Sequence, residues 1–523
     1  MFAKKNGSLI IIHDFRKAIK LAIFNNHPQI NSIEISIISQ GNIGSQKQAT
    51  TLNRKIKNIG INRYSNQTKN CKTTSNFMLS NITKNKLHHT LIGIAGPIII
   101  QNLVLYLQIQ VDMAMVGRAN PLFLSAIANV LYPYNIVIAF LTSLSTGVTV
   151  VNSHSIGGKS FKSAQRHSEV SFFFNFIFAI PFFLILFLFA NTLLTWMGTS
   201  AEINEYGTLF MKSLSFSVLF LGVSLSISAM LLGMGKTKHL MVAAIITTIT
   251  NVFFDWLLIN GHLGFPKLGV QGAGIATSIA NFSGMTYLIT AVIFSKSLPF
   301  KPSLKGILNP RWKIQKRSVI VGLPFGLESM FWSFGQIIMV RMVNGVDLLA
   351  AGLYVLIIRI QSVTFFFYLG LARATMILVG QQMGAKNRQE AFRVVNMSMQ
   401  YAFATCAVAS ITFLIIPEKI LSIFSSDPDL IQRAVPLLQI VSFTIFPVAV
   451  NVVMGNAIRG MKDTKWMFYT QSFGTIFVIS VSAILLFSFK MGLKGVIITV
   501  LFDECIRALL NFRRFTSHTK LVS

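Results

Sequence analysis

The sequence predicts an all-α membrane protein with twelve transmembrane helices, arranged as two parallel repeats of six. Three observations predict this fold class. The 523-residue chain is 53% hydrophobic and 12% charged, with a mean hydropathy of +0.61, whereas a soluble domain carries about 25% charged residues. Twelve apolar segments are long enough to span a bilayer, and matching residues recur between the two halves of the chain at a fixed offset.

The apolar segments follow one another from about residue 89 to residue 512. A helix needs about 20 apolar residues to cross a hydrocarbon core of about 30 Å. The segments cover residues 89–116, 123–150, 168–191, 205–232, 239–260, 269–295, 318–343, 349–383, 392–416, 430–458, 466–489 and 492–512. With the N-terminus inside, eighteen loop Lys and Arg residues lie inside and five outside, which predicts that both termini are cytoplasmic.

The formal net charge of +30 does not indicate nucleic-acid binding. The basic residues gather in short loops between apolar runs rather than along one face of a polar domain, and this distribution is typical of membrane topology. We therefore expect no nucleic-acid partner. Cys71, Cys406 and Cys505 have no metal-ligand spacing, so no disulfide framework or cofactor site is predicted.

The first 87 residues differ from the rest in being rich in Asn, Lys, Ser and Thr. This composition predicts disorder. Low acidity leaves an organelle transit peptide open, but we favour translation starting at Met78, where a short basic lead runs straight into an apolar helix.

The twelve segments form two copies of one six-helix unit. Pro324 follows Pro97 by 227 positions (324 − 97), and Gly384 follows Gly157 by the same interval. Six is an even number, so both copies enter the membrane from the same side, and such parallel repeats work by alternating access. The predicted domains are an extension at 1–87, a first lobe at 88–295, a basic linker at 296–317, a second lobe at 318–514 and a tail at 515–523.

A carboxylate interrupts the fifth apolar segment. Asp255 lies within NVFFDWLL, with no basic residue within four positions. An ionised acid at membrane depth is costly, so the default interpretation is an ion or proton relay. Asn251 lies one helical turn earlier on the same face, and the two side chains can converge on one cation or proton. A hydrogen-bonded polar pair with a structural role is the alternative.

Several stretches together resemble the multidrug and toxic compound extrusion (MATE) family. They are VDMAMVG at 111–117, NVFFD at 251–255, LGVQGAGIATSIAN at 268–281, LVGQQMGAKNRQEA at 378–391 and RGMKDTKW at 459–466. The resemblance covers residues from about 91 to 514. It implies a V-shaped, two-lobe transporter that exports organic, often cationic, compounds in exchange for H⁺ or Na⁺. It also implies a multi-pass protein of the bacterial inner (plasma) membrane, and we expect a monomer.

The resemblance extends to individual polar residues. Asp112 and the Asn251–Asp255 pair match positions of cation coupling, with H⁺ or Na⁺ as the cation. Glu328 is a candidate substrate or proton site, although some relatives carry the seventh-helix glutamate one turn deeper, where this chain has Trp332, while other branches carry it at the shallower place. Its repeat position, Gln101, and Arg373 are the other candidates for this substrate or proton site. An interaction of Glu328 with the helix N-terminus is the alternative.

Two further groups of charged residues inside apolar segments call for partners. Asp503, Glu504 and Arg507 have spacings of four and three, which predict an internal salt bridge in the last helix. Arg373 needs a carboxylate or a cavity at membrane depth, and both pairing with Glu328 and repulsion of cationic substrates stay open.

Three functions are weighed against this pattern. Cation-coupled export of small organic compounds is the first. A flippase for lipid-linked precursors is the second, which Arg373 favours, while twelve helices and the NVFFD stretch do not. A membrane-embedded enzyme is the third, and no HExxH, GxSxG or phosphate-loop pattern supports it.

Overall fold

The computed structural model describes residues 2–5, 8–11, 87–345, 350–424 and 427–520. Twelve long α-helices run through the part from residue 87 onward. In chain order they are α1 Leu87–Ala119, α2 Pro121–Gly157, α3 Phe161–Leu188, α4 Ala201–Gly233, α5 Lys238–Asn260, α6 Val270–Phe294, α7 Trp312–Asn344, α8 Ala350–Gly384, α9 Arg388–Ile415, α10 Pro428–Gly460, α11 Thr464–Ala483 and α12 Gly492–Lys520.

Ten of these helices are long and apolar enough to cross a membrane. The other two, α7 and α12, are of similar length but more polar in sequence. Basic residues occupy the first turns of α7, and α12 carries Asp503, Glu504 and Arg507. In the described residues the twelve predicted segments therefore correspond to twelve long helices, and the predicted all-α fold class is confirmed.

Several helices begin where the sequence supplies a cap. The Asn120 side chain accepts a hydrogen bond from the Leu122 N–H at 2.9 Å at the start of α2, and Asn387 accepts one from the Glu390 N–H at 3.1 Å in α9. Asp427 accepts from the Asp429 N–H at 3.0 Å in α10. Such caps satisfy backbone donors that have no partner within the helix, so these boundaries are encoded locally.

The N-terminal extension contains a short antiparallel hairpin, although its composition predicts disorder. Strand β1, Phe2–Lys5, pairs with β2, Ser8–Ile11, so that Phe2 lies opposite Ile11. The apolar residues Leu9 to Ile11 supply the β-branched and aliphatic positions that suit a strand. Met78 and the remainder of the extension lie outside the described residues.

Two predicted boundaries differ from the structure. Residues 312–317, assigned to the linker, form the first turns of α7, and a short helix, Leu304–Ile307, lies within the linker. The tail predicted from residue 515 is helical to Lys520. It continues the helix because Phe515 is buried and stacks on Phe392, with ring centroids 6.1 Å apart.

The linker is held against the first lobe by α3. The Glu169 carboxylate accepts hydrogen bonds from the Ser303 N–H at 2.9 Å and from the Ser303 hydroxyl at 2.8 Å. Arg166 donates to the Gly306 and Asn309 carbonyls. Because these bonds involve a nearly buried carboxylate, the connection between the repeats has a defined path along α3.

The two lobes meet through contacts that occur in repeat-related pairs. His154 Nε2 on α2 lies 2.7 Å from the Gly460 carbonyl oxygen, and Gln381 Nε2 on α8 donates to the Gly233 carbonyl at 2.9 Å. His154 and Gln381 are 227 positions apart, as are Gly233 and Gly460. Each residue of the first contact therefore has its repeat counterpart in the second contact. This correspondence is what two parallel repeats related by a two-fold axis require.

Glycines bring the helices of this seam into backbone contact. A Cβ atom added to Gly157 would lie 1.8 Å from the Gln381 carbonyl oxygen, and one added to Gly384 would lie 2.1 Å from the His154 carbonyl oxygen. Small residues permit such close approach between membrane helices. The seam lies beside Lys159 and Lys386, so the lobes are closed at the end of the bundle that carries the basic loops.

Replacing Gly157 by Ala should open this seam. The added methyl group meets backbone rather than a flexible side chain, so relief requires the helices to separate. We expect the distance between spin labels at Lys162 and Gln389, both exposed, to become longer than in the parent, measured by electron–electron double resonance after the three native cysteines are replaced. Gly93→Ala is the control, because nothing lies within 4 Å of its added Cβ. An unchanged distance in Gly157→Ala would contradict a tightly closed seam.

Candidate functional site

A buried polar cluster joins α1 and α5 in the first lobe. Gln108 Nε2 on α1 donates a hydrogen bond to Asn251 Oδ1 on α5 at 2.5 Å. The Thr248 hydroxyl donates to Gln108 Oε1 at 2.9 Å. Asn251 has no exposed surface and Gln108 is 9% exposed. These two bonds fix the α1–α5 register at the level of Asp112 and Asp255.

The Asp255 carboxyl group is the unusual member of this cluster. It is 1% exposed, and neither oxygen accepts a hydrogen bond from any described residue. Its polar neighbours are the Asp112 carboxyl group and Asn251. Two carboxylates cannot both stay ionised side by side in an apolar surrounding. The pair can exist if a proton or another cation is shared between them.

The structure brings together the three residues predicted for coupling, Asp112, Asn251 and Asp255. Sequence reasoning missed Gln108 and Thr248. Both had a usable signal: Gln108 lies four residues before Asp112, and Thr248 lies three residues before Asn251, so each shares a helix face with a predicted residue. Polar residues at helical spacing from a buried acid would have identified them.

The second lobe uses its buried glutamate differently. Glu328 on α7 forms an ion pair with Arg459 on α10, and both side chains are about one-tenth exposed. The Arg459 guanidinium also lies over the Phe325 ring, 5.3 Å from its centroid. The option that Glu328 pairs with Arg373 is therefore wrong. The long side chain of Arg459, at the end of α10, pairs with the Glu328 carboxylate instead.

The remaining predicted residues are placed as follows. Gln101, the repeat position of Glu328, is half-buried on α1. The predicted ion pair in α12 is present, with Arg507 Nη2 2.6 Å from Asp503 Oδ2 and 2.5 Å from Glu504 Oε1. Arg507 also donates to Gln471 Oε1 at 2.8 Å. This network lies within the second lobe and ties α12 to α11.

Metal binding by the usual protein ligands has no support in the described part of the chain. Within it, no group of three or more His, Cys, Asp or Glu side chains has an arrangement that could hold a metal ion. A site for a cation at the Asp112–Asp255 pair would have to include amide or hydroxyl oxygens. Asn251 Oδ1, an amide oxygen of this cluster, already accepts a hydrogen bond from Gln108.

A bundle of twelve long helices in two parallel repeats, with acids buried inside one lobe, is the architecture of a multi-pass membrane transporter. The sequence model of the MatE family matches residues 97–257 and, a second time, residues 324–484. The chain therefore belongs to the MatE family, and the resemblance in its sequence is confirmed. The two matches begin 227 positions apart, as the repeat offset predicts.

Bacterial transporters are similar to this chain over most of its length. It is 26% identical over 435 residues to the uncharacterized transporter YisQ of Bacillus subtilis, covering 82% of this chain and 94% of that protein. It is 26% identical to the probable multidrug resistance protein NorM of Thermotoga maritima, covering 83% and 93%. The multidrug resistance protein PmpM of Pseudomonas aeruginosa is 24% identical, with 72% and 79% covered.

Solved structures share the fold. One is described as the outward-facing conformation of a multidrug resistance MATE family transporter of the MOP superfamily; it has a TM-score of 0.77 and 18% identity, covering 82% of this chain and 95% of that chain. A MOP superfamily transporter from Pyrococcus furiosus has a TM-score of 0.75 and 19% identity, with the same shares covered. At these identities the likeness shows the two-lobe, twelve-helix fold.

Proposed function

We propose that the protein is an antiporter that exports organic, drug-like compounds by alternating access, in exchange for protons that move inward. The observation that carries this proposal is the Asp112–Asp255 pair: Asp255 is buried, Asp112 is half-buried beside it, and neither forms an ion pair with a described residue. An acid pair that needs a proton, in a fold that rocks around a central site, is what proton-driven exchange requires. The names of the bacterial relatives support multidrug compounds as the cargo.

We infer that the end with the basic loops faces the cytoplasm, because short cytoplasmic loops carry the excess of Lys and Arg. The seam between the lobes is closed at that end, so the site would open to the outside in this conformation. A proton taken up there by the acid pair would lower the cost of burying both acids. Rocking of the lobes would then deliver the proton to the inside and accept the next substrate. Both lobes belong to one chain, so a monomer suffices.

The oxygen atoms available around Asp255 favour proton coupling over sodium coupling. Sodium needs several oxygen ligands, as other hard cations do. Around Asp255 the Asn251 amide oxygen already accepts from Gln108, and the Gln108 amide oxygen already accepts from Thr248. A proton needs only the two carboxyl groups. One elementary charge gains about 2.3 kcal/mol per 100 mV of membrane potential, in addition to the gradient itself.

Ethidium efflux from proteoliposomes tests the proposal directly. A proton gradient and a sodium gradient are imposed separately, each directed against ethidium movement, with the membrane potential collapsed. We expect the proton gradient to drive efflux and the sodium gradient to have no effect. Efflux driven by sodium alone would replace the proton by Na⁺, and efflux unaffected by either gradient would reject coupled export.

Flipping of lipid-linked precursors is the second candidate, because Arg373 lacks a carboxylate partner among the described residues. A lipid headgroup could supply the missing negative charge. The twelve long helices of the described residues argue against it, because related flippases usually carry additional helices. An anionic-lipid competitor distinguishes the two candidates in the experiment below.

A further inference from the structure

Arg373 on α8 is a cation inside the bundle that no described residue neutralises. It is half-buried, it forms no ion pair or hydrogen bond with any described residue, and Glu328 is taken by Arg459. Its unpaired nitrogen atoms are not fully buried, so the guanidinium borders open space. A membrane-embedded arginine persists where a cavity or an acidic ligand can be reached.

The helix face that carries Arg373 points toward the first lobe. Gly380 and Gly384 lie seven and eleven residues later on the same face, two and three turns along α8. A Cβ on Gly380 would meet Ser153, and one on Gly384 would meet His154, both on α2. Arg373 therefore lies just beyond the closed seam, on the stripe of α8 that continues from the residues in contact with α2.

A second unpaired donor lies on the facing stripe of α1. Asn102 is 8% exposed, and its Nδ2 has no hydrogen-bond partner among the described residues. It lies between Ile99, which contacts Gly370, and Tyr106, whose ring centroid is 5.1 Å from that of Phe366. The α1 face that carries Asn102 is therefore the face packed on α8.

The direction of the two helices makes these donors lean toward each other. From the Ile99–Gly370 contact to the Tyr106–Phe366 contact, the residue numbers rise on α1 and fall on α8. The two helices are therefore antiparallel. Side chains lean toward the N-terminus of their own helix. By this rule we expect Asn102 to lean back toward the level of Ile99, and Arg373 toward the level of Gly370. Ile99 and Gly370 themselves are in contact at that level, so an acidic group that enters beside this contact can accept hydrogen bonds from both side chains.

We propose that Arg373 and Asn102 bind the acidic group of the transported compound, which makes zwitterionic organic molecules the preferred substrate class. This inference rests on the proposed function and deepens it. The cationic part of such a molecule would compete with the proton at the Asp112–Asp255 pair. The carboxylate would supply the counter-charge that Arg373 lacks, through charge-assisted hydrogen bonds to the guanidinium.

A matched pair of dyes tests this site by binding, independently of transport. Rhodamine 6G is a cationic ethyl ester, and its hydrolysed free acid is a zwitterion with the same ring system. Fluorescence anisotropy with the full-length protein in detergent gives the Kd of each dye. We expect the wild-type protein to prefer the free acid, and Arg373→Gln to raise the Kd of the free acid about tenfold or more while that of the ester changes less than about twofold.

Three further variants sharpen the result. Arg373→Lys keeps the charge and should lose less affinity for the free acid than Arg373→Gln. Asn102→Ala should weaken the free acid in the same direction by a smaller factor. Arg359→Gln replaces an exposed arginine of the same helix and should change neither dye. If Arg373→Gln weakens both dyes equally, or neither, the inference is overturned.

The outcomes separate this inference from the proposed function. Selective binding of the free acid without gradient-driven transport would retain the acid-binding site and reject the antiporter. Transport of both dyes without selective binding of the free acid would retain the antiporter and reject the acid-binding site. A short-chain phosphatidic acid that displaces the free acid at lower concentration than the dye itself would keep the acidic-group site and assign it to a lipid headgroup.

Discussion

Asp255→Asn is expected to abolish gradient-driven ethidium efflux while the protein stays folded in the membrane. The amide has the shape of the carboxyl group but cannot take up or release a proton. Asp112 would then face a neutral neighbour and have no group with which to share its proton. Removing one of two adjacent acids also removes their mutual repulsion, so we expect a thermal unfolding midpoint at or above that of the wild-type protein.

Efflux from proteoliposomes and thermal unfolding in detergent are measured on the same preparation. Glu202→Gln is the matched control, because it also neutralises an acid of the first lobe but at an exposed position in the first turn of α4. It should leave efflux unchanged. Wild-type efflux from Asp255→Asn vesicles would remove Asp255 from the coupling mechanism and leave the buried pair with a structural role.

Arg459→Met is expected to destabilise the second lobe strongly. It leaves Glu328 nearly buried without its counter-ion, and breaking such a pair costs about 3–5 kcal/mol. Met retains much of the apolar volume beside Phe325, so the loss of charge dominates. The double variant Glu328→Leu/Arg459→Met should regain most of the stability, because no isolated charge remains. Thermal unfolding of detergent-purified protein measures both.

An exposed ion pair provides the control for this comparison. Arg393 lies 3.1 Å from Glu390, and its side chain is 51% exposed. Arg393→Met should cost at most about 1 kcal/mol, because exposed pairs contribute little. Equal losses for Arg459→Met and Arg393→Met would mean that water screens the inner pair. Efflux by the stable double variant then decides the role of Glu328: retained activity makes the pair structural, and lost activity makes it part of the transport site.

The candidate site was predictable where its geometry is local to one helix. Asn251 and Asp255 share a face because they are one turn apart, and the Asp503–Arg507 pair follows from the same spacing. Gln108 and Thr248 required the register between α1 and α5, which depends on packing of the whole lobe. A helix period reports which side chains share a face, but not which other helix that face meets.

The twelve helices, their division into two repeats 227 residues apart and the acids inside apolar segments can be read from the order of the amino acids, because hydrophobic length and periodicity are properties of continuous segments. The pairing of Glu328 with Arg459 rather than Arg373, and the closed seam beside the basic loops, became evident in the folded chain alone. Both arginines lie in apolar helices, and both have side chains long enough to reach a buried acid. The choice between them depends on how α7, α8 and α10 are placed around each other, and that placement is encoded in packing contacts distributed over the whole bundle.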